Sequence, residues 1–561
     1  MSTAMERSDG GEAILAACRS LGVEVIFSSP GSEWAPAWEA LARQDRDGTP
    51  GPRYLDLMHE TLAVAMATGY GIVSGRPQVV LLHAVPGLLQ GACGIHGAQL
   101  AQVGMVVMTS ESITYGETEP DPGSQWYRNL SIVGGPQAVA TPITKWSTQV
   151  GSAATLYGTV VRAGEMARRA PAGPIYLNVP VEVLLEPWDA GRADVRAVAA
   201  PGTTVSPEAE VEQAARRLVA ARRPVIVTES VGRHPDGFEA LLDLAEQLAI
   251  PVIEPASAVC ANFPRTNPLH RGGSPALLEE ADLIVLACCR APYYPPSDRP
   301  AGTEVLVVDE VPHRPYVDYQ VLGADQYLEG SVGPTLRALG AAAKALGIDE
   351  EAVAERRTRF AASAGVAVAQ PDVLDAARVA AALREQLAAD ARVVDETITH
   401  SRQVAAGLAA ETPGRYTYVQ GGLGQGLGVA LGMKYADPAG EVALTIGDGS
   451  FLYNPITQAL AASRTLDLPL LIVVLNNHQY LSMKLNHLRF YPDGVAVSES
   501  DFRGVDLTEQ PDLAGLVEPF GMTGITVPAT AGPAELDDAI ATGLASVRSG
   551  RTALIDIHLP R

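Results

Sequence analysis

Cysteine is scarce: five residues in 561, at Cys18, Cys93, Cys260, Cys288 and Cys289, with no CxxC pair. That spacing argues against a disulfide framework or a zinc site and reads as free thiols in a reducing compartment. Positive charge is also short. Forty-one Lys and Arg face 64 Asp and Glu, for a net charge of −23 with no basic run. Nucleic acid and anionic membrane surfaces are poor partners for such a chain. No apolar run reaches spanning length uninterrupted, and the start MSTAMERSDGGEA lacks the apolar region of a secretion signal. The expectation is a cytoplasmic protein.

What is present is alternation of helix and strand. Ala13–Leu21 reads as a helix, and VEVIF, Tyr54–Leu57, Val79–Leu82, Met105–Thr109 and Ile175–Val179 read as strands. Short apolar runs of this kind suit a parallel sheet covered on both faces. A Pro-, Gly-, Ala- and Thr-rich stretch, 186–207, reads as a linker. A second α/β region follows, with strands at 225–228, 251–253, 283–287 and 305–308; it contains no GxGxxG, so a dinucleotide site gains no support from a motif. The segment 349–370 is helical and charged, then loses pattern. The expected class is α/β, as three consecutive parallel-sheet domains at 1–187, 205–346 and 371–561.

The third region holds VALTIGDGSFLYNPITQALAASRTLDLPLLIVVLNNHQY, residues 442–480. Two apolar runs stop at Gly447-Asp448-Gly449-Ser450 and at Asn476-Asn477, with a helix expected between them over about 454–463. In such a βαβ unit, ligands sit at the carboxyl ends of the strands. Asp448 and Asn477 are hard oxygen donors suited to Mg²⁺, and the N–H groups of Gly449 and Ser450 suit a phosphate. A GDG alone is more often only a turn.

GDGS followed by LNN resembles the metal-diphosphate motif of thiamin-diphosphate (ThDP) enzymes of the acetolactate synthase, benzoylformate decarboxylase and pyruvate decarboxylase group. The resemblance implies that Asp448, Asn477 and the backbone carbonyl of Gln479 hold Mg²⁺. It also gives a role to Glu60, in LMHETLAVAMATGYG, which from the residues alone reads as a solvated first-turn Glu. There the family keeps a carboxylate on N1′ of the cofactor's aminopyrimidine. In GGLGQG, residues 421–426, the Gly421 carbonyl would meet the 4′-amino group and Leu423 would support the bent cofactor. Asp395, Glu396 and Thr397 fall where the family often places diphosphate contacts. Glu60 and Asp448 lie in different domains, and the family joins those domains across subunits, so a homodimer or homotetramer is implied.

The substrate side divides the family. Ser32 in SSPGSEW and His83 in LLHAVPG resemble the pocket residues of benzoylformate decarboxylase, where an imidazole can relay protons. That enzyme's second histidine is missing: FPRTNPLHRG carries Asn267 at the matching point, with His270 three residues on. The His-His pair of pyruvate decarboxylase is absent too, and Met483 stands where that group keeps an acid. Gln125, in GSQWYRN, falls near a glutamine kept by several carboligases. Tyr480, Met483 and His487, at i, i+3 and i+7, are expected on one face of a helix forming a pocket wall or cover. The resemblance implies decarboxylation of a 2-oxo acid through a C2-carbanion and enamine. The shortage of proton donors favours carboligation to an aldehyde or ketone acceptor, as in acetolactate synthase. Alternatives are a simple decarboxylase releasing an aldehyde, and a non-catalytic protein keeping the fold.

Overall fold

The computed structural model describes residues 8–111, 135–193, 195–321, 323–361 and 373–560. Among these described residues, seventeen strands form three parallel sheets. The first holds β1 (Val25–Ser29), β2 (Arg53–Asp56), β3 (Gln78–Leu82), β4 (Met105–Thr109), β5 (Trp146–Gln149) and β6 (Pro174–Asn178), in the order 2-1-3-4-6-5. The second holds β7 (Pro224–Thr228), β8 (Val252–Ile253), β9 (Leu283–Ala287), β10 (Glu304–Asp309) and β11 (Gln326–Glu329), in the order 11-10-9-7-8. The third holds β12 (Arg392–Glu396), β13 (Tyr416–Tyr418), β14 (Val442–Gly447), β15 (Leu471–Asn476), β16 (Thr523–Val527) and β17 (Ala553–His558), in the order 13-12-14-15-17-16. Counted from its own first strand, the third sheet repeats the order of the first.

The central strands are apolar because both faces are covered: every residue of β1, β3, β4 and β6 is buried. The edge strands β5 and β11 were not expected from sequence. WSTQ is half-buried along its whole length and QYLE buries only Leu328, so neither carries an apolar run. The helix expected at 454–463 runs Ile456–Thr465, and a separate short helix, Asp448–Tyr453, starts inside the GDGS motif. No helix among the described residues is long and apolar enough to cross a membrane.

Two helices join the first and third sheets. Glu60–Ser74 follows β2, and Gly426–Ala436 follows β13. Their backbones touch through glycine. A Cβ on Gly69 would lie 2.0 Å from the Val429 carbonyl oxygen, and one on Gly432 2.0 Å from that of Met66. Leu62, Val64 and Met66 share one buried cluster with Leu427, Val429 and Met433, so one apolar core serves both sheets.

Candidate functional site

In the third sheet the chain steps from β12 outward to β13, then to β14 on the other side. The crevice between the carboxyl ends of β12 and β14 is therefore where an open α/β sheet binds its ligand. Asp448 stands there, one residue past β14 and 2% exposed. Its Oδ2 is buried with no hydrogen-bond partner. Burial pushes its carboxyl up to about 6 against the pull of the Gly449 and His478 N–H groups. A buried carboxylate oxygen without a donor fits a cation. Asn477, buried one residue past β15, accepts from the Gln479 N–H at 3.1 Å through Oδ1 and donates through Nδ2 to His400 Nε2 at 3.3 Å. The Gln479 carbonyl accepts from Leu481 N–H at 2.9 Å and keeps a second lone pair. The donor set is all hard oxygen, which fits Mg²⁺. Gly449 and Ser450 are buried in the first turn of the helix that Asp448 starts.

Asp395 and Glu396 do not fit as diphosphate contacts. Both are buried carboxyls whose oxygens already accept from donors of the protein. Asp395 accepts from the Thr397 N–H and hydroxyl, the Thr445 hydroxyl and the Tyr416 hydroxyl. Glu396 accepts from the N–H groups of Gly424 (2.8 Å), Gln425 (3.0 Å) and Gly426 (3.1 Å), and from Asn454 Nδ2 (3.0 Å). Burial raises its carboxyl to about 7 even against those donors. Glu396 is the anchor of the GGLGQG loop. Gly421, Gly422 and Gly424 all have φ between 90° and 116°, the left-handed region that glycine tolerates. Leu423 is half-buried between them.

The first-domain half reaches the same loop within one chain. Cys93, on the helix Ala84–Leu100, donates its S–H to the Gly421 carbonyl at 3.3 Å. A Cβ on Gly421 would lie 2.4 Å from the Gly97 Cα. Glu60 opens its own helix, capped by His59 Nδ1 accepting from the Thr61 N–H at 3.1 Å, and its side chain lies against Gly87 of the Ala84–Leu100 helix. Glu60 and the glycine loop thus flank one helix.

At the first sheet's own crossover, between β1 and β3, the structure adds a residue the sequence reading passed over. Glu33, in the single turn Ser32–Trp34, is 4% exposed and receives His83 Nδ1 at 3.0 and 3.1 Å. That hydrogen bond raises the imidazole's pKa, opposed by burial and aided by Glu60. Ser32 is exposed at the start of the turn. Tyr480 stands edge-on to Tyr453 and against Gly449, while Met483 is 49% exposed on a helix, Leu481–Phe490, that buries none of its residues. His487 packs on Phe502 and Tyr491. Gln125 lies outside the described residues. Asn267 donates to Glu246, and His270 is buried against Glu254 at 3.0 Å in the second domain, so neither is a second site histidine. A cavity of about 780 Å³ opens elsewhere, between the far end of the Glu60 helix, the second sheet and residues 413–420.

The N-terminal TPP binding domain of thiamine pyrophosphate enzymes matches residues 8–129, their central domain 211–339, and their C-terminal TPP binding domain 398–557. The chain belongs to the thiamine pyrophosphate enzymes. Thiamin diphosphate is its cofactor, and the three sheets are the family's three domains. Benzoylformate decarboxylase of Pseudomonas aeruginosa is 27% identical over 495 residues, 83% of this chain and 85% of that one. Acetolactate synthase of Bacillus subtilis is 25% identical over 570 residues, 96% and 91% of the two chains. In fold, the chain is similar to the thiamine diphosphate-dependent 4-hydroxybenzoylformate decarboxylase of Rhodococcus jostii RHA1, with a TM-score of 0.78, 23% identity and 99% of each chain covered. Relatives with decarboxylase and synthase names flank this thiamine pyrophosphate enzyme at nearly equal distance.

Proposed function

We propose that this thiamine pyrophosphate enzyme, with Mg²⁺, removes CO₂ from a 2-oxo acid. The observation that carries this is the orphaned Asp448 oxygen just past the carboxyl end of β14, with Asn477 just past the end of the paired neighbour β15. Asp448, Asn477 and the Gln479 carbonyl would hold the metal, and Gly449 and Ser450 the diphosphate. Bound there, thiamin diphosphate supplies an electron sink for the bond next to the substrate's carbonyl. Glu60 would share a proton with N1′ of the aminopyrimidine, the Gly421 carbonyl would accept from its 4′-amino group, and Leu423 would pack against the cofactor. Ser32, Tyr480, Met483 and Gln125 are proposed to line the substrate pocket.

After CO₂ leaves, the remaining carbon takes a proton or a second carbonyl. The ion-paired His83 favours the proton, and so an aldehyde product. Carboligation is the second reading, favoured by the absence of a second histidine, since His270 is committed to Glu254. A panel of 2-oxo acids with ThDP and Mg²⁺, with and without acceptor aldehydes, tests both. No consumption of any of them sinks the proposal. Asp448→Asn should abolish metal-dependent ThDP binding in titrations that need no turnover.

A homodimer or homotetramer in the cytoplasm is the proposed working form. Met58, Leu89, Tyr453, Met483, Phe490 and Val495 are large apolar side chains left exposed, most on elements that carry proposed site residues, and a partner copy would cover them. The two halves already meet within one chain; exchange of the first domain between copies would make the same contacts between chains. Mixing Glu60→Gln with Asp448→Asn chains separates these arrangements. Activity in the mixture, absent from either parent, places the halves on different chains; its absence keeps them on one.

A further inference from the structure

The proposed reaction leaves Glu33 without a task, although its burial is nearly complete. It is a carboxylate with a fully covered side chain, on the first sheet's crossover, facing an imidazole that is 26% exposed. Both its oxygens lie within 3.1 Å of His83 Nδ1, and Oε1 also accepts from the Ala84 N–H at 2.8 Å. Ala84 has φ of 23°, an uncommon conformation for a residue with a Cβ. The neighbouring Trp34 indole N–H donates to the Leu82 carbonyl at 2.9 Å, so the Ser32–Trp34 turn clamps the end of β3 on both sides of His83. A buried carboxylate on one imidazole nitrogen fixes that nitrogen as the donor and orients the ring, as in hydrolase triads.

We propose that Glu33 is the positioning residue of the proton donor: its carboxylate grips Nδ1 of His83 and presents Nε2 to the substrate carbon, which favours release of an aldehyde over joining to a second carbonyl. The proposal rests on the decarboxylation reading above. Balanced, the step is simple. The electron pair of the broken C–CO₂ bond stays on the substrate carbon and forms its new C–H bond. The proton comes from His83 Nε2, whose N–H electrons stay on the ring, and solvent recharges the imidazole. The charged groups facing that ring include Glu33 from its turn and Glu60 from the head of its helix, and both favour the protonated form. The acid therefore persists to higher pH than an unassisted histidine and is lost as pH rises through the raised pKa.

The test compares wild type, Glu33→Gln and His83→Gln. Isotope-labelled histidine NMR on the full chain follows the His83 imidazole, identified by its loss in His83→Gln, and needs neither cofactor nor substrate. Glu33→Gln should lower the His83 midpoint by about one pH unit or more. With a 2-oxo acid and excess benzaldehyde, the ratio of hydroxyketone to aldehyde should rise several-fold in Glu33→Gln, and should not rise further when that change is added to His83→Gln. An unchanged midpoint overturns the proposal, as does an unchanged product ratio with turnover falling equally at every pH. Should Glu33→Gln fail to fold, a wild-type His83 midpoint at or below about 6.5 overturns it. Failure of the decarboxylation reading looks different: no 2-oxo acid is consumed, whatever His83 does in the titration.

Discussion

Replacing Glu396 with Gln changes one atom, and the hydrogen-bond geometry sets its cost. The carboxylate divides four donors evenly: the Gly424 and Gln425 N–H groups on Oε1, the Gly426 N–H and Asn454 Nδ2 on Oε2. A glutamine oxygen can keep one pair, but its NH₂ then faces the other two donors. Asn454 cannot turn its amide to help, because its Oδ1 already accepts from the Leu427 N–H at 3.2 Å. Two buried donors are left unmet, at about 1–3 kcal/mol each, so local opening of the loop should become easier by about 2–6 kcal/mol. Global unfolding of three domains is a poor readout of that local change. Hydrogen exchange is better: the Gly424, Gln425 and Gly426 amides should exchange at least about 30-fold faster, while the β7 and β9 amides of the second sheet keep their rates. ThDP binding should weaken in parallel, because the same loop carries Gly421 and Leu423. Unchanged exchange at those three amides would refute the anchor.

Three further outcomes follow from the packing and the charges. Gly432→Val places a side chain where the Met66 carbonyl stands, so the two shared helices must separate, with a loss of about 3 kcal/mol or more visible as a lowered melting temperature; an unchanged melting temperature would mean the helices do not touch as described. Cys93 is the one exposed cysteine of the five, and its half-covered sulfur sits against the Gly421 carbonyl. A maleimide should therefore label Cys93 first, slowly at neutral pH because burial of the sulfur raises its pKa, and bound ThDP with Mg²⁺ should protect it. Glu254 is held down: burial pushes its pKa up, but Arg265 at 2.9 Å and His270 outweigh it. A depressed carboxyl contributes stability above its unfolded pKa of about 4.3 and loses it as pH falls through the folded value. Glu254→Ala should cost about 3–5 kcal/mol at pH 7 in thermal melts, with the gap narrowing below about pH 4; a gap that does not narrow would remove the ion pair from the account.

The strands that end at Asp448 and Asn477 were legible because parallel strands buried on both faces leave uninterrupted apolar runs, and the residue that stops each run marks the ligand edge. From the residues alone Glu60 reads as a solvated first-turn Glu, and only the company of the GDGS motif gives it its proposed role. Glu33 was not legible, although it stands beside Ser32 in the same turn. Its partner is 50 residues away, and nothing local marks a carboxylate that will be buried rather than solvated. Glu396 falls at a position that suggests diphosphate contact for a related reason: a strand-end carboxylate shows its position in sequence but not the donors that a distant glycine loop brings to it. The half-buried β5 and β11 escaped because edge strands need no apolar run. FPRTNPLHRG carries Asn267 where a second histidine would stand, and His270, three residues on, is buried against Glu254.

The glycine contact between the Glu60 helix and the Gly426 helix also bears on how the chain is made. Their shared core joins segments whose nearest ends, Ser74 and Gly426, are about 350 residues apart in sequence. At about 5–20 residues per second, a ribosome delivers the second helix roughly 20–70 s after the first. Throughout that interval the first domain lacks the helix that packs on Leu62, Met66 and the backbone at Gly69. A nascent chain in that state is a natural client for a chaperone. Its release should coincide with synthesis of the glycine loop, the segment that also completes the cofactor site.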